Sequence, residues 1–154
     1  MEFDDYEINA ETLVLIPIDN KKTKVVEKND TFLINASTLS IIKKSCLFFG
    51  CSYDGRREAV RHLIGIDMKV PILIEESRNI IFFPTSSCVN KNSIWISYKN
   101  LLKYTKFNEF STVLFFLEKK KLKIDVKYNL IDNQVIRCLK LETLLSKRKM
   151  IMND

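Results

Sequence analysis

Residues 45–61 read Ser45-Cys46-Leu47-Phe48-Phe49-Gly50-Cys51-Ser52-Tyr53-Asp54-Gly55-Arg56-Arg57-Glu58-Ala59-Val60-Arg61. An apolar helix end runs into a glycine, a mostly polar tetrapeptide, a second glycine and then three arginines within six residues. Glycine tolerates positive φ, so Gly50 and Gly55 are expected to bracket an exposed turn of Cys51, Ser52, Tyr53 and Asp54. A helix is expected on each side. Upstream, Ser37 reads as an N-cap, and Leu39, Ile42, Cys46 and Phe49 follow at helical spacing as far as Gly50. Lys44 faces away from that stripe and Lys43 flanks it. Downstream, residues 56–64 read as a short helix with Val60, Leu63 and Ile64 inward and Gly65 closing it. Arg57 and Arg61 are four apart and share a face.

Outward from this helical centre both flanks read as strands. Residues 6–9, 12–18, 23–28 and 31–34 are short β-branched runs separated by turn residues, an antiparallel meander. On the other side, residues 70–74, 79–84 and 93–97 are strand candidates, with a loop over 85–92. Residues 98–104 fit a helix or a strand. Residues 112–117 and 122–128, joined by Glu118-Lys119-Lys120-Lys121, form a hairpin. Asn129 then opens a long last helix with Ile131, Val135, Cys138, Leu141 and Leu145 inward and Arg137, Lys140 and Arg148 outward. With no repeat, linker or boundary, residues 1–154 are expected to form a single α+β domain. It has antiparallel strands, a few helices and a long C-terminal helix.

Composition places the chain among folded soluble proteins. Its 154 residues suit one core, with 46% apolar and 29% charged residues. The longest apolar run is six residues, 13–18, against the roughly 20 that a membrane helix needs. The acidic N-terminus lacks the basic and apolar regions of a signal peptide. A cytoplasmic protein with no membrane partner is expected. Cys46, Cys51, Cys88 and Cys138 are then reduced, metal-free thiols, because none of their spacings is a zinc knuckle and His62 is the only histidine.

The enzyme motifs are missing: no phosphate loop, no dinucleotide fingerprint, no zinc-protease motif and no nucleophile elbow. Glu75-Glu76 reads as a solvated turn. No catalysis and no cofactor are expected. The net charge of +6 is concentrated late in the chain, whereas the first thirty residues lean acidic. That asymmetry suits a polyanion partner, or else a lysine-rich solvated surface. Nucleic-acid binding needs cations for phosphates and side chains able to enter a groove. Lys43, Lys44, Arg56, Arg57 and Arg61, with Lys119, Lys120 and Lys121 at the hairpin tip, meet the first need. Ser52 and Tyr53 can add hydrogen bonds to the DNA backbone. For the second need, arginines on an ordered turn suit a narrow A·T-rich minor groove. The last helix offers only Asn133, Gln134 and Arg137 toward major-groove readout. The runs 47–49 and 80–83 read as core rather than base-stacking platforms.

The order of several of these stretches resembles the competence transcription factor ComK family. The stretches are 5–9, 26–28, Ser45-Cys46-x-Phe48-Phe49-Gly50-x-Ser52-Tyr53-x-Gly55-Arg56-Arg57, Pro71-Ile72, 81–87, Ile94-Trp95-Ile96-Ser97, and Tyr128-Asn129 through Arg137. The resemblance spans residues 5 to about 145. It implies a DNA-binding activator of natural-transformation genes, on the nucleoid, that binds paired A·T-rich boxes through the minor groove. It also implies dimers assembling into tetramers and an adaptor to a Clp protease, with RNA polymerase as a further candidate partner. Three features depart from the family pattern. Cys51 stands where a small residue is usual, and Tyr98 where histidine is frequent. The chain also stops at Asp154, where longer members carry a further polar and basic tail. The alternative reading is an interaction module without DNA binding that modulates a full-length relative by mixed oligomerisation.

Overall fold

A computed structural model describes residues 1–86 and 93–152. Ser87 and Cys88, on which expectations were placed, lie outside the described residues, as do most of the expected 85–92 loop and Asp154. In chain order the elements are β1 (Glu2–Phe3), β2 (Thr12–Asp19), β3 (Lys22–Glu27), β4 (Thr31–Ile34), α1 (Thr38–Phe48) and α2 (Tyr53–Ile64). Then come β5 (Ile72–Glu75), β6 (Ile80–Pro84), β7 (Trp95–Ser97), β8 (Leu101–Asn108), β9 (Ser111–Phe116), β10 (Lys121–Ile124) and α3 (Tyr128–Met152). This is the expected α+β domain with a long C-terminal helix.

The meander forms as expected from β2, β3 and β4. Its Asp19–Lys22 turn is tightened where Asp19 Oδ1 accepts from the Lys21 amide at 2.7 Å. The expected strand over residues 6–9 does not form. Side chains hold that segment instead: Tyr6 bonds through its hydroxyl to Thr12 and Glu27, and the Ile8 amide donates to Ser45 Oγ at 3.0 Å. One edge strand is β1, which pairs parallel to β4; the other strand pairs among the described residues are antiparallel, as expected.

The meander is extended into a seven-stranded sheet ordered β1-β4-β3-β2-β7-β6-β5. β7 slots between β2 and β6, with Trp95 opposite Leu15 on one side and Pro84 on the other. Every residue of β6 and β7 is buried, the mark of strands covered on both faces. Residues 80–83 are therefore core, as read. The turn after β7 is tied to the start of β2 by Asn100, whose amide donates to the Ala10 and Thr12 carbonyls at 3.1 Å each.

Residues 98–104, which fit either element, supply a turn and the start of β8. A second sheet, β10-β9-β8, turns Leu114, Phe116 and Ile124 into the common core. α3 runs for 25 residues, about 38 Å, and buries Ile131, Gln134, Cys138 and Leu141 along one stripe. Val135 and Leu145 pack at the edge of that core, and Ile136 and Leu139 face outward with more than half of each exposed. Among the described residues no helix is long and apolar enough to cross a membrane.

Candidate nucleic-acid interface

α1 starts where Ser37 Oγ accepts from the Ser40 amide at 3.1 Å and ends just before Gly50, whose φ is +82°. Ile41, Ile42, Ser45 and Cys46 face the core, while Lys43, Lys44, Leu47 and Phe48 face solvent. Leu47 and Phe48 depart from the core reading of residues 47–49. They fall in the last turn of α1, on the side opposite Cys46. Cys51 hangs inward, its thiol toward the Cys46 and Ile74 carbonyls at 3.3 and 3.7 Å. Burial pushes the Cys46 thiol up to about 12, helped by Cys51 and opposed by the Arg56 guanidinium, and burial also pushes Cys138 upward. Cys46, Cys51 and Cys138 are free thiols. Among the described residues no three His, Cys, Asp or Glu side chains converge on a metal site.

The second bend differs from expectation. Ser52 is extended and caps α2, accepting from the Gly55 amide at 3.0 Å, and the helix is already formed at Tyr53. Gly55 therefore lies inside the first turn of α2 and has no positive φ; the positive-φ glycines are Gly50 and Gly65. What Gly55 provides is room, since a Cβ there would stand 2.8 Å from the capping Ser52 Oγ. Gly55→Ala exchanges that cap, about 1 kcal/mol, for a gain in helix propensity of similar size. Gly50→Ala has no such offset and is expected to cost about 1–2 kcal/mol for its left-handed φ. Urea unfolding of the two variants should show Gly50→Ala as the more damaging. The reverse order would restore the bend to Gly55.

Most of the expected contact groups are engaged inside the molecule. Tyr53 is 7% exposed, with Lys43 Nζ over its ring at 5.6 Å. Lys44 Nζ pairs with Asp5 at 3.0 Å. Arg57 Nη2 donates to the Asp67 carbonyl at 3.2 Å. Arg61 bridges Glu58 Oε2 at 3.0 Å and Asp67 Oδ1 at 2.7 Å, and its bond to Asp67 raises its already high pKa further. Arg56 is half-buried, and its Nε has no hydrogen-bond partner among the described residues. The arginine face of α2 thus folds down onto the loop that follows the helix. Gln134 is buried, and Arg137 donates to the Met68 and Lys69 carbonyls, so two of the three groups weighed for major-groove readout hold loops instead.

Lys119 and Lys120 lie in the β9–β10 turn and Lys121 opens β10 of the second sheet. Glu118 and Lys119 take left-handed φ of 63° and 64°, and the turn closes where the Phe116 amide donates to the Lys120 carbonyl at 2.8 Å. Lys119 and Lys121 are exposed, and Lys121 stands opposite Phe115. Sequence reading passed over the groups beside them: Lys103, Lys123 and Lys127, each with its ammonium over a phenylalanine ring. The signal was Lys-x-Lys at 121–123 and Lys-x-Thr at 103–105, alternation that puts one polar set on a single sheet face.

The family model described as ComK protein matches residues 3–150. The chain is also 35% identical over 150 residues to a protein named "Competence transcription factor" from Bacillus subtilis (strain 168), an alignment covering 94% of this chain and 77% of that relative. No solved structure matches.

Proposed function

The chain belongs to the ComK family, and from that premise we propose that it is a competence transcription factor, binding double-stranded DNA in the cytoplasm and activating genes of natural transformation. The observation that carries this reading is the identity to a competence transcription factor along nearly the whole chain. The reading involves no catalytic step. Its targets are A·T-rich boxes read mainly through the minor groove, by dimers that pair into tetramers on the nucleoid. Outward-facing Ile136 and Leu139, one turn apart on α3, offer apolar surface for self-association. RNA polymerase and an adaptor to a Clp protease complete its set of partners.

Phosphate contact falls first to Lys119, Lys120 and Lys121, with Lys43, Lys44, Arg56 and Arg57 as auxiliaries at the α1–α2 corner. Ser52 and Tyr53 are not carried into this reading, because one caps α2 and the other is buried. Arg61 is already paired with two carboxylates.

Fluorescence anisotropy on an A·T-rich and a G·C-rich duplex tests it. The A·T-rich duplex should bind more tightly, with log K falling linearly against log salt. Swapping A·T for inosine·cytosine pairs preserves the minor-groove pattern and should preserve affinity. Loss of affinity in that swap would move readout to the major groove. No binding to any duplex at about 50 mM salt, with self-association retained, would leave the interaction-module reading in its place.

A further inference from the structure

Residues 101–127 carry seven lysines against Glu109, Glu118 and Asp125, a net charge of +4 within the +6 of the whole chain. Strand register sets Lys103, Phe115 and Lys121 side by side, then Thr105, Val113 and Lys123. Residues opposite one another in an antiparallel pair point the same way, so these six form one face of the second sheet. The other face is in the core. Val113 and Phe115 are half-buried yet belong to no part of that core. Where β8 turns into β9, Phe107 and Phe110 are 59% and 62% exposed. Lys123 Nζ rests 4.5 Å from the Phe107 centroid, Lys127 5.7 Å from Phe110 and Lys103 4.9 Å from Phe115.

None of Lys103, Lys121, Lys123 and Lys127 is in an ion pair among the described residues. Of the nearby carboxylates, Asp125 accepts from Ser111 Oγ at 3.2 Å, and Glu109 stands in the β8–β9 turn. A face meant only for water has no use for four apolar groups, Phe107, Phe110, Val113 and Phe115, between its lysines. Two copies of this face brought together about a twofold axis would set one lysine-rich surface against another. A polyanion with an apolar interior meets both halves of the pattern.

We propose that duplex DNA lies on the outward face of β8–β9–β10, its phosphates on the lysines, with Phe107 and Phe110 entering the minor groove as apolar wedges. The proposal rests on the DNA-binding reading above and names its surface. Wedges of this kind unstack a base step and kink the duplex, and flexible T-A steps resist that least, which supplies a preference for A·T-rich sites without base hydrogen bonds.

The full chain on an A·T-rich duplex of about 30 base pairs is the test. Phe107→Ala with Phe110→Ala should lower affinity at least about tenfold. Lys103→Gln with Lys123→Gln should flatten the salt slope by about two. All four positions are solvent-facing, and melting temperatures report whether either variant misfolds. Ultraviolet cross-linking of the wild-type complex needs no variant and should attach DNA to peptides within residues 101–127. If the wild type binds no duplex, the DNA-binding reading itself fails. If it binds, but cross-links map to α2 and both variants keep wild-type affinity, DNA binding stands and this face is wrong. Monomeric phenylalanine variants from an oligomeric wild type, with cross-links elsewhere, would make the face a contact between copies and overturn the proposal.

Discussion

Gln134→Leu is expected to destabilise the protein by about 2–5 kcal/mol, although the two side chains differ little in volume. Gln134 is 2% exposed in the second turn of α3. Its Nε2 donates to the Lys69 carbonyl at 2.8 Å and the Pro84 carbonyl at 2.7 Å, and its Oε1 accepts from Arg137 at 3.1 Å. One amide thus joins α3 to the end of β6 and to the segment leading into β5. There Lys69 holds a left-handed φ of 53° that a lysine does not favour by itself. Leucine leaves the Pro84 carbonyl without that donor, at about 1–3 kcal/mol. It also takes from the Lys69 carbonyl the shorter of its two bonds, at about 0.5–1.5 kcal/mol more, since Arg137 still donates to it at 3.3 Å. A fall in melting temperature of roughly 5–15 °C follows for a chain of this size. Gln134→Glu is a sharper probe. Ionised, its carboxylate can only accept and would face two carbonyls; protonated, it regains one donor. That variant should recover stability relative to wild type as pH falls from 7 to 5. A Gln134→Leu midpoint within about 0.5 kcal/mol of wild type would show that these bonds hold nothing together.

Trp95→Ala is expected to cost about 3–5 kcal/mol, a large share of the roughly 5–15 kcal/mol that holds a typical domain folded. Trp95 is 1% exposed and opens β7, a strand of three residues with no exposed position. That strand is the only link, within the seven-stranded sheet as described, between the N-terminal meander and the β5–β6 hairpin. Truncating its one large side chain therefore opens a cavity where the two parts of the sheet meet. Trp95→Phe should keep more than half of the loss from appearing, because an aromatic ring still fills most of the space. Unfolding is best followed by circular dichroism, since the variant removes the only tryptophan. A shift below about 1 kcal/mol would mean that the sheet closes around the gap.

The parts of this fold that could be read from sequence are those made by neighbours in the chain. Ser37 as a cap, Gly50 and Gly65 as helix ends, the meander and the inward stripe of α3 each depend on residues within a few positions of one another. Local φ preferences and 3.6- or 2-residue periodicity express them. Gly55 was misread because glycine marks two different needs, a positive φ and a missing Cβ. Only the position of Ser52 Oγ separates them.

Family membership was equally legible, since ordered motifs along the chain need no coordinates. The strand order was not. β7 pairs with β2 across some eighty residues of chain, and nothing local to either strand encodes that register. The same holds for charge. From sequence, Arg57 and Arg61 looked like free cations, Lys121 belonged to a hairpin tip, and Lys103 and Lys123 were given no part in a site. Folding brings Asp67 back onto the arginines, while sheet register gathers the lysines around Phe115. A side chain's charge belongs to the sequence, but Coulomb and hydrogen-bond energies depend on distance, and distances between remote residues exist only once the chain has folded.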